Sequence, residues 1–138
     1  RYFGPSGSGS LVKACNQVVV AATVAAISEA VALAGREGID PALLFEILSG
    51  GLASSEVLRQ KQKKWLNRDF TEGGSARNQL KDLRVALAAA ADQDIQLGVT
   101  GAVHDLFERM VAEGDGDLDH TGVVLTVERA HRAAGRSS

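Results

Sequence analysis

Cysteine is nearly missing from the chain. Cys15 stands alone in 138 residues, so no disulfide can form within the chain, and a reducing, cytoplasmic setting is expected. Neither sign of charge is in excess: the formal net charge is -2, which gives no general attraction to nucleic acid or to an anionic membrane. Aromatic residues are only 4% of the chain, while Ala and Gly are abundant. That balance favours closely packed helices over a β-sandwich. Strand-type alternation, a repeat of fixed period and a signal peptide are all missing from the pattern. Methionine occurs once, at Met110, and the first residue is Arg1, so a processed product or a piece of a longer chain is expected. The length suits one domain with a single core.

What is present is helical. Residues 1–10 have loop composition, with Gly4, Gly7 and Gly9 among serines. From Leu11 to about Arg36 the chain reads as one long helix, apolar or small on nearly every face. Its stretch Val18–Gly35 is apolar enough to raise the question of a membrane span. Ser28 and Glu29 interrupt it and Ala dominates, so a central spine packed by other helices or by a second subunit is expected, and no membrane contact. Asp40-Pro41 is a start signal, with Asp as cap and Pro at the first helical position. Further helices are expected from Ser54 or Ser55 to Leu66, over Asn78–Asp92, over Thr100–Ala112 and over Thr121–Ala133, with residues 134–138 as a frayed tail. The expected fold class is all-α, a helical bundle around one long central helix, filling 1–138 as one domain.

Lys13 is the first candidate for chemistry. It is expected in the first turn of the spine, at the positive end of the helix dipole, where partial burial would turn it into a proton donor and acceptor. Asn16 and Gln17 follow three and four residues on, sharing its face. Glycines upstream let backbone N–H groups approach an anion at the helix start. Together these suit a carboxylate substrate beside a proton-transfer lysine. A solvated lysine after a flexible loop is the bland alternative. Ser10-Leu-Val-Lys13 also matches the S-x-x-K of serine acyl-transfer enzymes, but the partner motifs S-D-N and K-T-G are missing.

Other clusters offer less. Asp115, Asp117 and Asp119 imitate the start of a calcium loop, yet His120 and Thr126 stand where Gly and Glu are needed, so Asp119 is expected to cap the last helix. His104, His120 and His131 have no metal-ligand spacing with Cys15, and no metal is expected. Arg59, Lys61, Lys63, Lys64 and Arg68 surround Trp65; a solvated helix face accounts for them better than nucleic-acid binding.

Three motifs in order then resemble the β-hydroxyacid dehydrogenases, a family that includes 3-hydroxyisobutyrate dehydrogenase and tartronate semialdehyde reductase. Gly4-x-x-Gly7-x-Gly9-x-x-x-Lys13-x-x-Asn16 is similar to its catalytic-lysine segment. Asp69-Phe70, Gly73 and Lys81-Asp82-Leu83 are similar to its D-F-x-P-G-F…K-D-L stretch, and Gly114-x-Gly116-Asp117-x-Asp119-His120 to its last loop. The resemblance implies the all-α C-terminal domain of the 6-phosphogluconate dehydrogenase type. The N-terminal Rossmann domain that binds NAD or NADP is missing from this chain. It implies Lys13 as general acid and base. Gly7, Ser8, Gly9, Asn16 and Gln17 would lie on the substrate side, and Lys81 would contact the cofactor. A small hydroxy acid is the implied substrate, and a homodimer or homotetramer the implied assembly. The fragment alone should lack activity. Departures at Glu72-Gly73-Gly74, Asn78 and Leu97-Gly98-Val99 touch the cleft wall. The alternative is a non-catalytic helical oligomerisation or interaction module of the same fold.

Overall fold

The computed structural model describes residues 8–71 and 73–137, the side chains of residue 8 and of 131–137 excepted. Six helices account for most of them: α1 (Ser8–Arg36), α2 (Pro41–Ser49), α3 (Glu56–Asn67), α4 (Ala76–Asp92), α5 (Gly98–Met110) and α6 (Val123–Ser137). A π-type turn over Val111–Asp115 and a 3₁₀ turn over His120–Gly122 join the last two. Among the described residues the only β-type pairing is an isolated bridge between Ser75 and Asp119. The all-α bundle expected from the sequence is therefore the observed one.

Side-chain caps set the helix starts. Asp40 accepts from the Ala42 N–H at 3.0 Å ahead of Pro41, as its sequence signal implies. Ser55 accepts from Leu58 N and Ser75 from Asn78 N. Three helices close with the same pair of backbone bonds, in which one residue turns left-handed. Gly38 does this after α1, with φ 75°, while Ile39 N donates to Ala34 O. Arg68 and Asp94 do it after α3 and α4 without being glycine.

Every other helix touches α1, which makes it the spine. Its Ala21, Val24, Ala25, Ile27 and Val31 join Phe45, Leu58, Trp65, Leu83, Phe107 and Met110 in one core. Each large side chain so buried contributes about 1.5–3 kcal/mol. Trp65 is enclosed, stacked on Phe45 at 5.8 Å between ring centres and donating its Nε1 hydrogen to Ser28 Oγ. It is a core anchor, unavailable for stacking on bases. By length and hydropathy α1 could cross a membrane; its packing against all five other helices is that of a core element.

One expectation is corrected here. Ser8, Gly9 and Ser10 are already helical, so the spine is under way before Leu11 and Lys13 lies past its first turn. The helices of this chain do not enclose α1 on all sides. Val12, Val19, Ala26 and Leu33 recur every seven residues on one exposed face, with Val19 at 65% and Leu33 at 68% exposure. The bundle has too few helices to surround its own centre. Other boundaries move by a turn or less. α4 starts at Ala76 behind the Ser75 cap, α5 starts at Gly98, and α6 runs on to Ser137.

The two long loops of the fold dock on each other. Asp119 N donates to Phe70 O at 2.7 Å and His120 N to Gly74 O at 2.8 Å. Gly73, at φ 131°, sits between them, and a Cβ built on it would overlap Asp119 Oδ1. Gly73→Ala combines a left-handed backbone with this overlap. The expected loss is about 2–4 kcal/mol, read as a lowered midpoint in urea unfolding; an unchanged midpoint would show that the docking tolerates a side chain.

Candidate functional site

The N-terminal half of α1 carries the predicted residues. Gly7 lies outside the described residues, and Ser8 and Gly9 are the first described residues of α1. Among the described residues, a Cβ on Gly9 would meet nothing within 4 Å. Lys13 and Asn16 are exposed and Gln17 is half-buried. Among the described residues no helix covers that face, so they do not supply the partial burial that would prime Lys13 for proton transfer. Among the departures noted in the middle motif, Glu72 also lies outside the described residues.

Two grooves flank the region. Leu11, Cys15 and Val18 line an apolar groove of about 290 Å³ with Ala86, Ala90 and Ile95. At about 100° per residue, these three fall on roughly the opposite side of α1 from Lys13. Lys81 is exposed on α4 and lines a different, polar groove of about 610 Å³, with Arg77, Asn78, Arg84 and Glu108. Among the described residues, none from α1 lines that groove. Lys13 and Lys81 therefore do not share one closed pocket within this chain.

A chain of buried polar groups does tie α1 to the loops. Gln79, only 3% exposed on α4, donates from Nε2 to Gln17 Oε1 at 3.2 Å. Its Oε1 faces His120 Nδ1 at 2.7 Å. His120 is 7% exposed, and its Nε2 has no partner among the described residues. Beside it, the buried carboxylate of Asp119 accepts from Lys61 Nζ at 2.8 Å and from the Thr121 hydroxyl and N–H. Asp119 thus caps the turn into the last helix, as expected. Sequence reasoning passed over Gln79, Lys61 and the burial of His120. One signal was there: Gln79 falls on the apolar stripe of α4 beside Leu80, Leu83 and Ala86, where a polar residue needs a partner.

Both titratable groups are shifted downward. Burial pushes the Asp119 carboxyl up, but hydrogen bonds from Lys61 and from the Thr121 side chain and backbone outweigh it and hold it below the usual carboxylate range. Burial pulls His120 below its ordinary value, against the raising effect of Asp119. The remaining candidates are accounted for by surface pairs. Arg129 holds Glu113 and Asp115, and Arg77 reaches Asp117. His104, Asp105 and Glu108 bring ligand atoms within 4.8 Å at the surface, but Arg84 already pairs with Glu108.

Comparison with known proteins follows the same outline. Residues 7–127 match the family model described as NAD-binding of NADP-dependent 3-hydroxyisobutyrate dehydrogenase. The chain is 34% identical over 125 residues to the 2-hydroxy-3-oxopropionate reductase of Escherichia coli, covering 91% of this chain and 43% of that one. It is also 34% identical to a probable 3-hydroxyisobutyrate dehydrogenase-like protein of Arabidopsis thaliana, covering 94% and 42%. A structure of Mycobacterium tuberculosis 3-hydroxyisobutyrate dehydrogenase with L-serine superposes with a TM-score of 0.83 at 27% identity, covering 92% of this chain and 46% of that one. The chain spans about two-fifths of the length of the curated relatives it matches.

Both lowered groups are stabilising only while His120 is neutral and Asp119 ionised. That contribution is complete at neutral pH and lost on acidification. It fades first below about pH 6.5 for His120 and then below about pH 4 for Asp119, as each folded value is passed. Melting followed by circular dichroism from pH 8 to pH 3 should show both declines, and His120→Asn should remove only the first. A midpoint constant between pH 7 and pH 5 would mean that His120 is not held neutral.

Proposed function

The chain belongs to the 3-hydroxyisobutyrate dehydrogenase and 2-hydroxy-3-oxopropionate reductase group of β-hydroxyacid dehydrogenases, and we propose that it is the helical substrate-side and dimerisation domain of such an enzyme. The parent chain interconverts a small β-hydroxy acid and its oxo form in the cytoplasm. The observation that carries this reading is the grouping of Lys13, Asn16 and Gln17 within about one turn near the first described residues of α1. In reduction the Lys13 ammonium gives a proton to the carbonyl oxygen as hydride reaches the carbon; in oxidation the lysine takes the hydroxyl proton back. Asn16 and Gln17 hold the substrate, including its carboxylate, against that lysine. The L-serine that accompanies the related Mycobacterium tuberculosis structure has such a carboxylate.

A nicotinamide cofactor, NAD or NADP, supplies or accepts the hydride when bound. The residues described fit one wall of such a site. Arg77, Lys81 and Arg84 give the polar groove a cationic side suited to phosphates. They do not make a whole site, since no strand leading into G-x-G-x-x-G is present among the described residues. Lys81 would hold the cofactor from this side and an N-terminal Rossmann domain of the parent from the other.

Lys13→Ala in the full-length parent should lower kcat by about 10²–10⁴-fold and leave cofactor binding near normal by fluorescence titration. Near-normal turnover would sink the assignment. A second reading, a helical oligomerisation module without catalysis, draws on the exposed stripe of α1. In either case Val12, Val19 and Leu33 would face a second copy. Val19→Glu with Leu33→Glu should then shift sedimentation from dimer or tetramer to monomer with helicity retained; a wild-type chain that already sediments as a monomer would refute that role.

A further inference from the structure

The polar chain from His120 to α1 has a direction, and one atom sets it. Gln79 Nε2 lies 3.5 Å from the main-chain oxygen of Gln17 as well as 3.2 Å from its side-chain oxygen. A main-chain oxygen only accepts, which favours the arrangement found, with the Gln79 nitrogen on the α1 side. Its Oε1 is then on the other side, facing His120 Nδ1 at 2.7 Å. That oxygen only accepts, so Nδ1 carries the hydrogen. The Gln17 Oε1 is in turn occupied by Gln79. What Gln17 has left to offer is its NH₂, whose hydrogens have no partner among the described residues.

We propose that His120 and Gln79 are positioning residues which fix the Gln17 amide as a hydrogen donor toward a carboxylate bound beside Lys13. The inference rests on the substrate-side reading of α1 and deepens it. Reversing the relay would turn the Gln17 oxygen outward, against a carboxylate that can only accept. All three side chains are at least half-buried, so the relay is shielded from the water that would let each amide rotate freely. It also gives a reason for an imidazole inside the fold with one nitrogen unpaired. In this direction His120 Nε2 is a bare acceptor, a milder burden in a buried site than an orphaned N–H.

The test has two parts, both by NMR on the 138-residue chain. Long-range ¹H–¹⁵N correlations at pH 7.5 should show His120 neutral with the hydrogen on Nδ1; a hydrogen on Nε2 would overturn the relay. L-serine, added as a carboxylate probe, should shift the Gln17 side-chain NH₂ signals, and L-serinamide should not. His120→Asn keeps a donor near the Nδ1 position and should retain the response. His120→Phe and Gln79→Leu cut the relay and should lose it, and either variant suffices if the other fails to fold. No response to L-serine, an equal response to L-serinamide, or a response that survives in a folded cut-relay variant would each overturn the proposal. Hydride transfer is read in neither part. A failed relay therefore leaves the dehydrogenase reading standing, and a parent without turnover leaves the relay standing.

Discussion

The buried carboxylate of Asp119 is the contact on which the other parts of this bundle converge. It takes a hydrogen bond from Lys61 on α3 and two from Thr121 in the turn into α6, while its backbone pairs with Phe70. A carboxylate without water is costly unless every lone pair is used. Here the requirement draws α3, the loop before α4 and the entry to α6 to one point. The rest of the loop follows from it: Gly73 is needed because nothing larger fits against Asp119 Oδ1. Bonds from Ala76 to Leu118 and from Arg77 to Gly116 then seat the first turn of α4.

His120 inherits its place from that lock. Its neighbour is fixed by five hydrogen bonds and its own N–H is held by Gly74, so the ring has little freedom over where it points. It meets Gln79, and Gln79 meets Gln17 on the spine. Stability and the orientation of the candidate site are thus two ends of one polar network. From Lys61 to Gln17 the path runs through hydrogen bonds and the Asp119–His120 peptide, with Asp119, His120 and Gln79 buried between two half-buried ends.

Much of this was legible in the sequence. Asp40-Pro41, the punctuating glycines after α1 and the apolar stripes of α4 and α5 each encode their element in a few neighbouring residues. What escaped depends on distant partners. The left-handed turns at Arg68 and Asp94 carry no glycine signal; the helices behind them are held by packing strong enough to offset a cost of about 1 kcal/mol. The start of α1 at Ser8 hides in Gly/Ser composition, which weakens a helix without forbidding one. His120 looked like a lone histidine because its partner is 41 residues away in sequence, on α4. Lys13 and Lys81 were legible as motif positions, but their places on separate walls were not, since spacing along a chain says nothing of which groove a helix face meets.

The exposure of Lys13 bears on where the chemistry is completed. Burial and neighbouring charge adapt an ammonium for proton transfer, and among the described residues Lys13 has neither a covering helix nor an ion pair. An apolar stripe is also left uncovered along α1 among the described residues, and both features lie on the one long helix of the bundle. Under the dehydrogenase reading the division of labour would follow: this domain would supply the proton carrier and the donor amide, and a surface outside the described residues would supply the desolvation. A lysine primed entirely within this domain would carry out proton transfer with no regard to whether a cofactor was present. One primed by an incoming surface would be ready only when both reactants are enclosed.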